Sequence, residues 1–243
     1  MINQKLFTSN FDDLVLYAPA NLKSDNPCSS LKIITAFTDC DRISTHMIHL
    51  SDGMKNKQLV KGLSVEILLG MTKYSLSKKK HEDICRILGF INESKDMPKV
   101  SCRYICKGAE VHSKMYIWSQ LNGCSKEIPR LAFCGSLNYT MNAFYKRRES
   151  VSVCDSLQAY KYYRELLPDT IDCFDPNVSQ QIKNVNNKKA DTYEEVDFSD
   201  DEYAVYDSMI PIDTLNVSLL VASGKDTGYG SGINWGIRRN GTK

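Results

Sequence analysis

Residues 109–118, AEVHSKMYIW, alternate polar and apolar side chains in the manner of a β-strand. Successive strand residues point to opposite faces, so His112 and Lys114 project together, while Val111, Met115 and Ile117 can enter a core. The polar register is either a solvated strand edge or a place where His112 meets a substrate. What surrounds it decides between the two.

Outward from this stretch, apolar runs and helical periodicities alternate. LKIITAF (31–37), LSVEILLG (63–70), VSCRYIC (100–106), GAEVHSKMYIW (108–118), RLAFCGS (130–136) and ESVSVCD (149–155) read as strands. SLSKKKHEDICRILGFINES (75–94) sets Ile84, Leu88 and Ile91 at helical spacing, and a further helix is expected around His46. LQAYKYYRELLPDTIDCF (157–174) reads as a helix broken near Pro168. The third and fourth strands are close enough in sequence to form a hairpin over 100–118. The pattern predicts an α/β (α+β) fold, a mixed β-sheet flanked by helices, with the main domain over 1–180. Thr140 is placed to cap a short helix, His46 and His49 read as a helix-surface pair, and Lys78, Lys79 and Lys80 as a solvated helix start.

At 42% hydrophobic and 25% charged residues, the composition is that of a globular protein and excludes a disordered chain. No apolar run approaches the roughly 20 residues of a membrane helix. The opening MINQKLFTSNFDDLV lacks the basic and apolar regions of an export signal, which predicts a cytoplasmic protein with no membrane partner. Nine cysteines at irregular spacings, none in a CxxC pair, then read as reduced thiols. The four histidines form no zinc pattern with them, and neither a metal nor a cofactor is expected.

Charge is unevenly placed. Residues 1–190 carry 27 Lys+Arg and 19 Asp+Glu, whereas residues 191–243 carry 4 and 10. A basic body suits a phosphate-rich partner. Nine of the acids lie between Asp191 and Asp213 with no Lys or Arg among them, so 181–215 reads as an acidic linker that could fold over the basic body as a phosphate mimic. Strand character returns in 216–243 and ends in the basic, glycine-rich GYGSGINWGIRRNGTK, as though a further domain begins there.

Further along from His112, residues 133–144 read FCGSLNYTMNAF. Ser136 and Asn138 share parity, and Gly135 permits a tight turn or a close backbone approach. YKRRES then brings Glu149 to the start of the sixth strand. These are the parts of a phosphoryl-transfer site. A neutral His112 imidazole can attack phosphorus and form a covalent intermediate. Glu149 can hold that imidazole in the reactive tautomer. Lys114 can neutralise phosphate oxygens, and Ser136 and Asn138 can donate hydrogen bonds to them. A second acid must protonate the leaving oxygen. Each residue alone is an ordinary side chain, and the set is what points to chemistry. Lys146, Arg147 and Arg148 precede Glu149 and are candidates for sequence-independent DNA-binding contacts.

His112-Ser113-Lys114, then Gly135-Ser136-Leu137-Asn138, then Glu149 eleven residues past the Asn, resemble the signature of the phospholipase D superfamily over roughly residues 30–155. The Asp that follows the Lys in the fuller motif is absent, and Trp118-Ser119-Gln120 stand near its place. The resemblance implies a phospholipase D-like fold and metal-independent phosphodiester hydrolysis through a phosphohistidine. Because that chemistry uses two histidines and the chain has one motif, it also implies a homodimer with a composite active site. The superfamily includes lipid hydrolases and synthases as well as nucleases. The single motif and basic body resemble the nucleases. SGINWGIRRNG resembles the opening of the C-terminal DNA-binding domain of phospholipase D-type type II restriction endonucleases, so 216–243 is expected to be the start of a truncated copy. The resemblance thus implies a restriction endonuclease acting on double-stranded DNA, with additional restriction-system subunits as potential partners. A phospholipid hydrolase or transferase, and a non-catalytic DNA-binding dimer, are the alternatives.

Overall fold

The computed structural model describes residues 11–182, apart from 25, 123–125 and 148. The stretch read as an acidic linker over 181–215, from residue 183 on, the domain start expected at 216–243, and Arg148 lie outside the described residues. Seven strands form one sheet in the order β6-β5-β4-β1-β2-β3-β7. They are β1 (Ser30–Thr35), β2 (Ser64–Leu69), β3 (Lys99–Ile105), β4 (Met115–Leu121), β5 (Glu127–Gly135), β6 (Val151–Cys154) and β7 (Thr170–Asp172). The first three run parallel, while β4, β5 and β6 add an antiparallel meander to the other side of β1. The sheet is mixed and flanked by helices, as the alternation of strand and helix patterns predicts.

Helix α1 (Cys40–Lys55) crosses from β1 to β2, and α2 (Thr72–Ser75) with α3 (Lys78–Glu93) crosses from β2 to β3. Asp39 caps α1 by accepting from the Arg42 N–H at 2.6 Å, and Ser77 caps α3 by accepting from the Lys80 N–H at 3.1 Å. The lysines at 78–80 therefore do open a helix. Ile43, Met47 and Leu50 of α1 and Ile84, Leu88 and Ile91 of α3 join Ile33, Val65, Ile67 and Trp118 in one core. On the opposite face, Ala159 and Tyr163 of α5 (Ser156–Leu166) pack with Ile34, Leu68, Ile117 and Ala132. Fully burying one such aliphatic side chain contributes about 1.5–3 kcal/mol. Covered on both faces, β1 is buried at all six positions, which is why LKIIT shows no alternation. Its one cation, Lys32, is neutralised by Glu127 at 2.6 Å.

Several local expectations need correction. The hairpin over 100–118 does not form: β3 pairs with β2 and β7, β4 pairs with β1 and β5, and two strands separate them. The fourth strand begins at Met115, opposite Ile34, and residues 112–114 lie before the ladder. The helix read over 157–174 does break near Pro168, ending at Leu166 with Pro168 in a tight turn, but residues 170–172 beyond the break pair with β3. His46 is not on a helix surface but fully buried, its Nδ1 2.7 Å from the Tyr139 hydroxyl.

The N-terminal segment 12–20 was not anticipated as part of the core. It lies across the first core, where the Trp118 indole N–H donates to the Val15 carbonyl at 2.7 Å. Here Asp12 meets the fully buried Arg42 of α1 at 2.6 Å. Tyr145 donates its hydroxyl to the other Asp12 oxygen, and the Arg42 guanidinium lies 4.4 Å from the Phe144 ring centroid. Phe144 and Tyr145 belong to α4 (Met141–Tyr145), so this cluster ties the N-terminal segment and α1 to the helix that follows Asn138. Removing one partner of a buried ion pair leaves an uncompensated charge. Asp12→Ala is therefore expected to lower the unfolding free energy in urea by about 3–5 kcal/mol; a loss below about 1 kcal/mol would mean the pair behaves as an exposed one.

Candidate active site

The antiparallel register assembles the site. Ile34 of β1 stands opposite Met115 at the start of β4. Met115 stands opposite Cys134 near the end of β5, and Gly135 opposite Val151 at the start of β6. The residues flanking these positions therefore emerge at one end of the sheet: Thr35 at the end of β1 and Phe37 after it, His112 and Lys114 before β4, Ser136 and Asn138 after β5, and Glu149 before β6. Elements far apart in sequence are neighbours because the strands that carry them are.

Two glycines let these segments close up. The Gly135 N–H donates to the Lys114 carbonyl at 3.3 Å, and a Cβ on Gly135 would lie 2.0 Å from the Ser150 carbonyl oxygen. No side chain fits there. The Ser136 N–H then donates to the Ser150 carbonyl at 3.0 Å, and the Ser150 N–H donates to Ser136 Oγ at 3.0 Å. At the end of β2, a Cβ on Gly70 would lie 1.9 Å from the Val111 carbonyl oxygen. The Val111 N–H donates to the Gly70 carbonyl at 3.3 Å, which seats the segment carrying His112 on the sheet although it is not a strand.

The predicted residues come together. Lys114 Nζ lies 2.9 Å from His112 Nδ1, 3.1 Å from Nε2 and 2.8 Å from the His112 carbonyl oxygen, to which it donates. Ser136 donates its hydroxyl to the Glu149 carboxylate. Asn138 Oδ1 lies 3.4 Å from the Thr35 hydroxyl. His112 and Ser136 are exposed, whereas Lys114, Asn138 and Glu149 are buried behind them. Lys146 is exposed and Arg147 half-buried just past α4. Glu149 was expected to orient His112; the structure brings its carboxylate to Ser136 and its charge to bear on Lys114.

Electrostatics follow from this layering. Burial, then the neighbouring Lys114 cation, lowers the His112 pKa from its ordinary value of 6.5. Burial also lowers the pKa of Lys114, while the Glu149 charge pulls it upward. The imidazole thus stays neutral to a lower pH than a free one does.

Sequence reasoning missed several neighbours. Phe37 stands edge-on to the His112 ring at 6.3 Å between centroids. Ser113 and Tyr162 share a hydrogen bond at 3.2 Å, and with Glu110, Leu166 and Asp169 they border an open groove of about 580 Å³ beside His112. Nothing in the local sequence marks these residues, since pairing and helix packing bring them in from elsewhere. Among the described residues no three His, Cys, Asp or Glu side chains are grouped as a metal ion would require. No described helix is long and apolar enough to cross a membrane.

The family model described as "NgoFVII restriction endonuclease N-terminal PLD domain" matches residues 9–183. No curated protein matched the sequence.

The electrostatic account is checked by the His112 ring-proton titration in NMR spectra. The wild type is expected to titrate below 6.5, and Lys114→Met to raise the value toward it by removing the neighbouring cation. A wild-type value at or above 6.5, or no rise in the variant, contradicts that account.

Proposed function

Because the chain belongs to the family of NgoFVII-type restriction endonuclease N-terminal PLD domains, we propose that it is a metal-independent DNA endonuclease in which His112 is the nucleophile. The observation that carries this reading is the junction of the two motif halves: His112 and Lys114 are in contact, and Gly135 bonds Lys114 so that Ser136 and Asn138 arrive beside them.

In the first step a ring nitrogen of neutral His112 forms a bond to phosphorus as the bond to the leaving nucleoside oxygen breaks. That oxygen takes a proton from an acid. In the second step water attacks phosphorus and gives its proton to the group that protonated the leaving oxygen, the phosphorus–nitrogen bond breaks, and the imidazole is regenerated. Lys114 and the Asn138 amide stabilise the charge that builds on the phosphoryl oxygens, and removing one such donor typically costs about 10²–10³ in kcat. Glu149 holds Ser136 and supports the charge of Lys114. The chain supplies one HxK histidine, so a second copy supplies the acid, and the working unit is a homodimer with a shared site. Lys146 and Arg147 emerge just past α4 and suit the duplex backbone, a contact that weakens with salt.

The reading is tested by plasmid cleavage in excess EDTA with wild type, His112→Ala, and dimers co-produced from equal amounts of both. The wild type is expected to cleave and His112→Ala to be inactive. Mixed preparations should retain about a quarter of wild-type activity, as random pairing into two-fold dimers gives. A strict metal requirement overturns the metal-free chemistry. Full activity in His112→Ala removes the nucleophile, and half activity in the mixture removes the shared site.

A further inference from the structure

Thr35 ends β1 at the centre of the sheet and is fully buried. A hydroxyl there lacks water, so its bonds must be internal. Its oxygen accepts the Tyr139 N–H at 3.0 Å. Its single proton goes to the Phe37 carbonyl at 2.7 Å, while Asn138 Oδ1 lies farther off at 3.4 Å. The segments it joins are laced together beyond that point. Thr38 and Tyr139 form an isolated parallel bridge, and the Met141 N–H donates to Asp39 Oδ2 at 2.8 Å. One hydroxyl therefore touches both the residue whose ring borders His112 and the amide beside the phosphate position.

The bond that the Thr35 hydroxyl donates to the Phe37 carbonyl and the bond that it accepts from the Tyr139 N–H together hold the backbone next to Asn138 against the end of β1.

We infer that Thr35 is a positioning residue: its hydroxyl, donating to the Phe37 carbonyl and accepting the Tyr139 N–H, fixes the backbone that carries Asn138 so that the Asn138 amide meets the scissile phosphate. It acts through Asn138 and does not itself touch substrate. The inference rests on the nuclease reading above, and orientation at this level is what catalysis depends on, since misplacement of about 1 Å costs on the order of 10² in rate.

The experiment is DNA cleavage kinetics with the full chain, with wild type and His112→Ala in the same series. Thr35→Val keeps the shape and removes the hydroxyl. It is expected to lower kcat about 10–100-fold while KM changes less than about twofold. Thr35→Ser should stay near wild type, and Thr35→Ala should behave as Thr35→Val. The Ser and Ala variants differ by the hydroxyl alone and give the same comparison should Thr35→Val fail to fold. In an Asn138→Ala background, Thr35→Val should cost less than about a further twofold. Wild-type kcat in both hydroxyl-free variants, or an undiminished loss in the Asn138→Ala background, overturns the inference while leaving the nuclease reading intact. A wild type no more active than His112→Ala removes that reading, and the inference falls with it.

Discussion

The site depends on one close approach of backbone to backbone. Gly135 lies so near Ser150 that no Cβ fits between them, and its N–H bonds the carbonyl of Lys114. This links the ends of β4, β5 and β6 at a single point. Without it the HxK pair and the GSxN loop would sit on neighbouring strands but not at one place. The glycine is there because a backbone must pass, and the residues around it can be polar because the strands already supply the cohesion.

Layering by burial does the rest. An exposed imidazole stands in front of a buried ammonium, and a buried carboxylate stands behind that. Each charge is worth more where water is scarce. Burial, and then the lysine, lowers the histidine's pKa, and the glutamate offsets part of what burial takes from the lysine's pKa. Behind this, the Asp12–Arg42 pair anchors α4, and through it the segment carrying Asn138, to the N-terminal part of the chain.

How much of this the sequence discloses depends on the range of the interaction. The parallel strands were legible from their apolar runs, and α3 from the spacing of Ile84, Leu88 and Ile91, because local periodicity reports local structure. Thr140 capped its helix as expected. His112, Lys114, Ser136, Asn138 and Glu149 stood out because their types and order carry the chemistry. Two strands were wrongly paired as a hairpin because proximity in sequence does not reveal that β1 offers β4 a better edge. His46 looked like a surface residue because nothing local shows that its partner is Tyr139. Thr35, Phe37 and Tyr162 carry no signal of their own, since each matters through a residue brought to it by the sheet or by helix packing.

The central claim is that His112 bonds to phosphorus, and the stereochemical course at phosphorus tests it most directly. DNA carrying a phosphorothioate of defined configuration at the cleaved position would be hydrolysed in isotopically labelled water, and the configuration of the product determined. Two successive in-line displacements, the first by His112 and the second by water, predict overall retention. Inversion would mean that water attacks the phosphodiester directly, and would contradict the account.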